Sequence, residues 1–266
     1  MFYDAHNHLQ DARLADWRAQ GLTTLAADLP LAEAVVNGCT EADWPGVAAL
    51  AQAHAWVRPS FGLHPWYVGA RGAGWLATLE HWLHTFPQAA VGEIGLDRWV
   101  ENHDVPTQVA CFHAQLALAV RLERPATIHC LRAWGLLEES LRSQPLPARG
   151  FLLHSYSGPV EMLPGLVKKG AYFSLSPAFG QARKAAQRAT FQAVPLDRLL
   201  AETDAPDMPP PPELNEHLLG PATAPLNHPA NLRVSYALLA EIRGMPLAEL
   251  TGHIEANHRR LFGTRA

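Results

Sequence analysis

The sequence has no apolar run of the roughly 18 to 20 residues needed to cross a bilayer. Its opening, MFYDAHNHLQ, has neither the basic stretch nor the apolar core of a secretory signal. Membrane insertion and export are therefore not expected, and a cytoplasmic setting is. Cysteine is scarce: Cys39, Cys111 and Cys130 are odd in number, widely spaced and form no C-x-x-C pair. That excludes a small disulfide framework and fits a reducing compartment. Positive charge is not in surplus either. With 21 Lys and Arg against 25 Asp and Glu, the net charge of −4 gives no broad basic field for following a long polyanion. A nucleic-acid substrate would have to be gripped locally. Internal repeats are lacking, and nothing points to an obligate protein partner.

What is present is an α/β pattern. The 266 residues, 48% hydrophobic and 17% charged, match one TIM (β/α)8 barrel, a fold of roughly 250 residues, so 1–266 is read as a single domain. Short apolar runs predict strands near 2–7, 33–38, 56–62, 89–94, 125–129, 150–154, 171–175 and 198–203. Amphipathic stretches alternate with them, including 107–122 and 133–142, whose apolar residues recur at helical spacing. Further helices near 229–243 and 246–257 would close the barrel. The segment 206–229, PDMPPPPELNEHLLGPATAPLNHP, is too rich in proline for a regular element. It reads as a long loop after the eighth strand, lying over the active-site face of a barrel or else serving as a linker.

The chemistry-bearing residues cluster at predicted strand ends. His6 and His8 are two apart on the first strand, so their side chains leave one face and can converge on one ion, although H-x-H alone is a weak signal in a chain with 14 histidines. Glu93 closes AAVGEIG, His129 closes PATIH, His154 closes GFLLH, and Asp204 follows RLLAET. Singly, each has an ordinary reading: a satisfied core histidine, an ion-pair partner, a turn cap. Jointly they place six imidazole or carboxylate groups on one rim, where barrel active sites are built and where a buried charge must be paired or must coordinate something. Six such ligands exceed the needs of one tetrahedral ion and suit two divalent ions, with Glu93 as the natural bridge. Ligand softness favours Zn, Mn, Fe or Co; Mg also fits where substrate phosphate completes the shell.

These residues carry a resemblance to the TatD family of metal-dependent hydrolases within the amidohydrolase-like barrels. The matching motifs run in order as DAHNH at 4–8, GLHPW at 62–66, VGEIGLD at 91–97, ATIHC at 126–130, LLHSYSG at 152–158 and LLAETDAP at 199–206, with NHRRLFG at 257–263. The resemblance implies a TIM barrel. It implies a first ion between His6, His8 and Asp204, Glu93 as bridge, and His129 and His154 on the second ion. The activity implied is DNase, including 3'-5' exonuclease action. One region departs from the family pattern, which has an arginine soon after the aspartate motif and RNEP further on. Here that stretch is the proline run, and His228 stands where the glutamate would be. The departure bears on substrate preference rather than on core chemistry.

Around this set, His64 in GLHP is either a contact to a scissile phosphate or a loop anchor. Arg132 is either a phosphate ligand or a solvated helix-start residue, and Tyr156 is a candidate to line the pocket. Asp4 either orients a ligand histidine or is simply buried and hydrogen-bonded, and Asp97 is expected to pair with a neighbouring cation or polar group. Cys130 reads as a small packed side chain, and His103 and His113 as surface residues. The expected reaction is attack by a metal-bridging hydroxide on phosphorus or a carbonyl carbon, with Asp204 and Glu93 as the catalytic carboxylates and Asp204 accepting the proton. Expected substrates are single-stranded nucleic acid or a small phosphoester. The rival readings are a small-molecule amidohydrolase or phosphoesterase on the same barrel, and a barrel that binds a ligand without turnover.

Overall fold

In the computed structural model, which describes residues 1–101, 104–221 and 223–264, eight parallel strands run in chain order. They are β1 (Phe2–Asn7), β2 (Leu31–Asn37), β3 (Val57–Phe61), β4 (Ala90–Asp97), β5 (Ala126–Leu131), β6 (Phe151–Leu153), β7 (Ala171–Leu175) and β8 (Leu199–Ala201). Each strand pairs with the next in sequence. Between them lie α1 (Ala15–Asp28), α2 (Trp44–Ala53), α3 (Trp75–Thr85), α4 (Val105–Arg121), α5 (Trp134–Ser143), α6 (Leu163–Lys168) and α7 (Ala185–Ala193), with α8 (Leu232–Arg243) and α9 (Leu247–Phe262) after β8. This is the (β/α)8 arrangement that the alternating apolar runs predict. All eight residues of β4 are buried, because a strand between barrel interior and helix layer has no wet face. The helices turn buried Leu79, Leu83, Phe112, Leu116, Leu137, Leu239 and Ile254 into the core around the barrel. At the start of α4, Asp104 accepts from the Thr107 amide while Pro106 occupies the first turn, where its missing N–H costs nothing.

The barrel closes between β8 and β1 through few but specific bonds. The Asp204 amide donates to the His6 carbonyl at 2.9 Å, and the His8 amide to the Ala205 carbonyl at 2.7 Å. Beneath them, the Asp4 carboxylate accepts from the Thr203 amide at 2.9 Å, the Thr203 hydroxyl at 2.6 Å and the His6 amide at 3.3 Å. Burial pushes Asp4 up to about 7. Of its two sequence readings, Asp4 takes the second: it seals the seam through backbone and hydroxyl groups and leaves His6 Nδ1 without a partner.

The proline-rich stretch departs from its sequence reading in one respect. Within 206–229, Leu218–Leu219 and Leu226–Asn227 form a short antiparallel pair, β9 and β10. Two-residue strands carry no periodicity that a sequence reading could detect. Asn227 holds the stretch over the seam, donating from its backbone amide to the Pro206 carbonyl at 2.8 Å and from Nδ2 to the Thr203 carbonyl at 2.7 Å. His228 caps the next turn by accepting from the Ala230 amide and packs against His217 and Trp17. The segment is therefore folded back over the β8 end rather than acting as a linker.

At the opposite end of the barrel, Arg58 on β3 is 2% exposed and grips Glu33 on β2 with Nε at 2.6 Å and Nη2 at 3.1 Å. Its remaining donors reach the carbonyls of Gln88 and Gly263 at 2.8 and 3.1 Å, tying the end of α9 to the barrel floor. Removing one member of such a pair leaves an uncompensated buried charge. Arg58→Ala is therefore expected to lower unfolding free energy by about 3–5 kcal/mol in urea titration. A loss below about 1 kcal/mol would show that water replaces the guanidinium at little cost.

Candidate metal centre

At the carboxyl end of the strands, Glu93 stands at the middle of a ring of imidazoles. Its carboxylate is 2% exposed, and its two oxygens face different partners. Oε2 lies 3.4 Å from His6 Nε2 and 3.3 Å from His8 Nε2. Oε1 lies 3.1 Å from His129 Nδ1 and 2.9 Å from His154 Nε2. Burial by itself would raise the Glu93 pKa, but the surrounding His64, His154 and His6 hold it well below the usual carboxylate range.

Asp204 completes the first group, its Oδ1 3.6 Å from His6 Nε2 and 3.5 Å from His8 Nε2, with the two histidine nitrogens 3.2 Å apart. A tetrahedron of donors about 2.0–2.1 Å from a zinc-sized ion has edges of about 3.3–3.4 Å. The five separations match those edges. In the second group, His129 Nδ1 and His154 Nε2 are 3.2 Å apart and share Glu93 Oε1, so three edges are again of coordination length. His6 and His154 stack face to face at 4.0 Å and so join the two groups. Three donor sets come within coordination reach of one another, His6–His8–Glu93, His6–His154–Asp204 and His64–Glu93–His129, and Glu93 belongs to two of them.

Local backbone features explain why these atoms converge. Gly95 has φ +149°, and a Cβ there would strike the carbonyl of His129, its register partner on β5. A Cβ on Gly62 would meet the backbone of Glu93. Both glycines of the GLHP and GEIG motifs therefore allow β3, β4 and β5 to crowd together where their ligands emerge. Asp204 sits at φ +58°, a left-handed conformation that aspartate tolerates, which turns its carboxylate back over β1.

Two of the four ligand rings, those of His8 and His129, have their outer nitrogens held as those of metal-binding histidines usually are, whereas His6 Nδ1 and His154 Nδ1 have no hydrogen-bond partner among the described residues. His8 Nδ1 is 2.8 Å from the Asn37 carbonyl, which assigns its proton to Nδ1 and leaves Nε2 free to ligate. His129 Nε2 is 2.7 Å from Asp97 Oδ2. Asp97 is itself bound by the Trp66 indole at 2.9 Å and the Trp99 amide at 2.6 Å. Burial works against the Asp97 charge, yet the His129 contact and these donors hold it down at about 2. His154 Nδ1 faces Glu202 at 3.6 Å, while Ser155 and Ser174 donate to that carboxylate.

His64 lies beside the second group, its Nε2 3.4 Å from Glu93 Oε1 and its Nδ1 accepting from the Trp66 amide. Burial lowers its pKa to about 4. A neutral ring that accepts at Nδ1 carries its proton on Nε2, so His64 presents a donor to the site. Arg132 follows β5 at φ +54°, exposed, with no ion pair among the described residues. Tyr156 is not brought to the site surface. Its ring is fully buried between Trp134 and Phe173, and its hydroxyl donates to the Pro159 carbonyl at 2.8 Å, so it holds the loop after β6. Cys130 is buried, and His113 on α4 meets Ser140 at 2.9 Å instead of lying free on the surface. His103 falls outside the described residues. Sequence reasoning missed Cys39, whose Sγ is 3.6 Å from His8 Nδ1 and 3.8 Å from Glu93 Oε2, and Lys184, close enough to Asp204 to act on its charge. Cys39 follows the second strand, but neither an imidazole nor a carboxylate marks the position, and Lys184 lies beside a helix rather than at a strand end.

Comparison with known proteins gives a consistent picture. The profile of the TatD related DNase family matches residues 3–263. The chain is 28% identical over 263 residues to the metal-dependent hydrolase YjjV of Escherichia coli K12, covering 98% of this chain and 97% of that protein. It is 33% identical over 230 residues to the 3'-5' ssDNA/RNA exonuclease TatD of Enterobacter lignolyticus, covering 81% of each. The crystal structure of YjjV superposes with a TM-score of 0.89 at 27% identity, over 99% of this chain and 98% of that one.

Asp97 touches the second group only through His129, which makes it a selective probe. Asp97→Asn is expected to weaken metal binding at the His129–His154 pair by about 10- to 100-fold, with the His6–His8 group unaffected. Titration calorimetry of the apoprotein with Zn or Mn would resolve the two steps. Equal weakening of both, or of neither, would contradict the separation of the groups.

Proposed function

The chain belongs to the TatD related DNase family, and from that premise we propose that it is a two-metal phosphodiesterase that shortens single-stranded nucleic acid from an end. The observation that carries the reading is the division of Glu93, one oxygen to His6 and His8 and the other to His129 and His154. A carboxylate so divided suits a bridge between ions, with Zn, Mn or Mg as candidates. When bound, a pair of divalent ions acidifies water and stabilises the charge that develops on substrate oxygens.

The chain's own residues supply the rest. Asp204 commits Oδ1 to His6 and His8, and among the described residues no hydrogen bond engages Oδ2. That oxygen is the proposed acceptor of the nucleophile's proton. His64 Nε2 and the Arg132 guanidinium are the proposed donors to non-bridging phosphate oxygens, the first from the buried side and the second from solvent. The names of relatives support the substrate class: the 33% identical protein is named for single-stranded DNA and RNA.

The test is degradation of a single-stranded oligonucleotide labelled at either end. Loss one nucleotide at a time from the 3' end is expected. Because the net charge is −4 and few cations stand at the site, the plot of log rate constant at low substrate against log salt should be shallower than about −2. Asp204→Asn should lower turnover by about 10²- to 10⁴-fold while the His129–His154 group keeps its ion. Cleavage of small phosphoesters with none of the oligonucleotide would move the substrate class. A steep salt slope would contradict local gripping.

A further inference from the structure

Large apolar side chains are rarely left in water without a reason, and contiguous exposed ones mark binding surfaces. Three of them surround the metal centre. Trp66 is 45% exposed, Tyr67 41% and Trp99 53%. The first two lie on the turn after β3 (Pro65–Ala70) and the third on the loop after β4, at the end of the barrel where Glu93 and His129 emerge. Trp66 and Trp99 present nearly parallel rings, 27° apart in plane with centroids at 6.2 Å. The Trp66 ring meets His129 at 6.5 Å and His64 at 5.1 Å, and Tyr67 meets His64 at 6.0 Å. Together they form an aromatic shelf that begins at the ligand shell and runs outward to Trp99.

The shelf is held rigid at its inner end only. The Trp66 indole donates to Asp97, and the backbone amide of Trp99 donates to the same carboxylate. The Trp99 indole itself has no polar partner among the described residues, and its exposed face is available. At the ends of β4 and β5, Arg98 and Arg132 stand side by side, the Arg98 amide bonded to the Leu131 carbonyl. Both are exposed and lack ion pairs among the described residues. An exposed aromatic face on the same rim as arginines without ion pairs is the chemistry that holds a single-stranded nucleotide, base on the ring and phosphate on a cation.

We propose that the Trp66–Trp99 shelf is a stacking site for one unpaired nucleobase of the strand whose phosphate enters the metal centre, and that it selects single strands over duplex. The proposal rests on the nuclease reading above and supplies its substrate selectivity. A base in a duplex already has both faces covered, so only an unpaired one gains from the shelf. Every base has a π-face, so the site is indifferent to sequence.

The test separates binding from turnover. Fluorescence anisotropy with the metal-loaded protein compares two oligonucleotides whose last three 3' linkages are phosphorothioate, one with all bases and one abasic at its last three 3' residues. The wild type is expected to bind the base-bearing strand about 5- to 150-fold more tightly. Trp99→Ala should bring that ratio to within about twofold, and Trp99→Phe should retain most of it. Trp99 is chosen because its side chain is half-exposed and touches no ligand, so folding and metal content should be unchanged. Equal binding of the two strands, binding of neither, or a ratio that survives Trp99→Ala would overturn the proposal. If the ratio behaves as expected but an ordinary oligonucleotide is not hydrolysed, the stacking site stands and the nuclease reading fails.

Discussion

A single carboxylate buried at the mouth of the barrel sets the requirements that the rest of the rim meets. Glu93 is charged and almost fully enclosed, so it must be surrounded by groups that favour its charge. Five imidazoles face it, delivered by four parts of the chain: His6 and His8 by the end of β1, His64 by the turn after β3, His129 by β5 and His154 by the end of β6. The glycines beside it exist to let those parts approach. The seam between β8 and β1 exists in turn to bring Asp204 over His6 and His8. Remove the charge on Glu93 and both donor groups lose the carboxylate they divide between them.

Support for this arrangement spreads outward in layers of decreasing burial. Asp97 fixes His129, Trp66 and Trp99 fix Asp97, and Trp99 reaches solvent. One continuous path of hydrogen bonds therefore joins the exposed Trp99 to the candidate ligand His129. The far end of the barrel is built differently. There the Arg58–Glu33 pair is closed off by carbonyls from Gln88 and Gly263, out of reach of the site, and serves stability.

Much of this was legible in the sequence because strands declare themselves as short apolar runs, and a polar residue ending such a run is conspicuous. Glu93, His129, His154 and Asp204 were found that way, and His6 and His8 by their period-two spacing. The eight strands were placed for the same reason. What escaped is what periodicity cannot carry. The β9–β10 pair is two residues per strand. Tyr156 lies one turn beyond His154 but points inward to Pro159, a rotamer choice set by packing against Trp134 and Phe173. Trp66 and Trp99 are 33 residues apart in the sequence and become a shelf only when β3 and β4 lie side by side. Asp4 was ambiguous because its partner, Thr203, is 199 residues away.

The central claim is that Glu93 holds two ions in contact with each other through its carboxylate. It is tested most directly by electron paramagnetic resonance of the protein reconstituted with Mn(II), alongside metal analysis of the same sample. Two Mn per chain with an exchange-coupled spectrum, giving way in Glu93→Gln to an uncoupled signal and a lower metal content, is the expected result. A wild-type protein that binds a single ion, or two that show no coupling, would contradict the account.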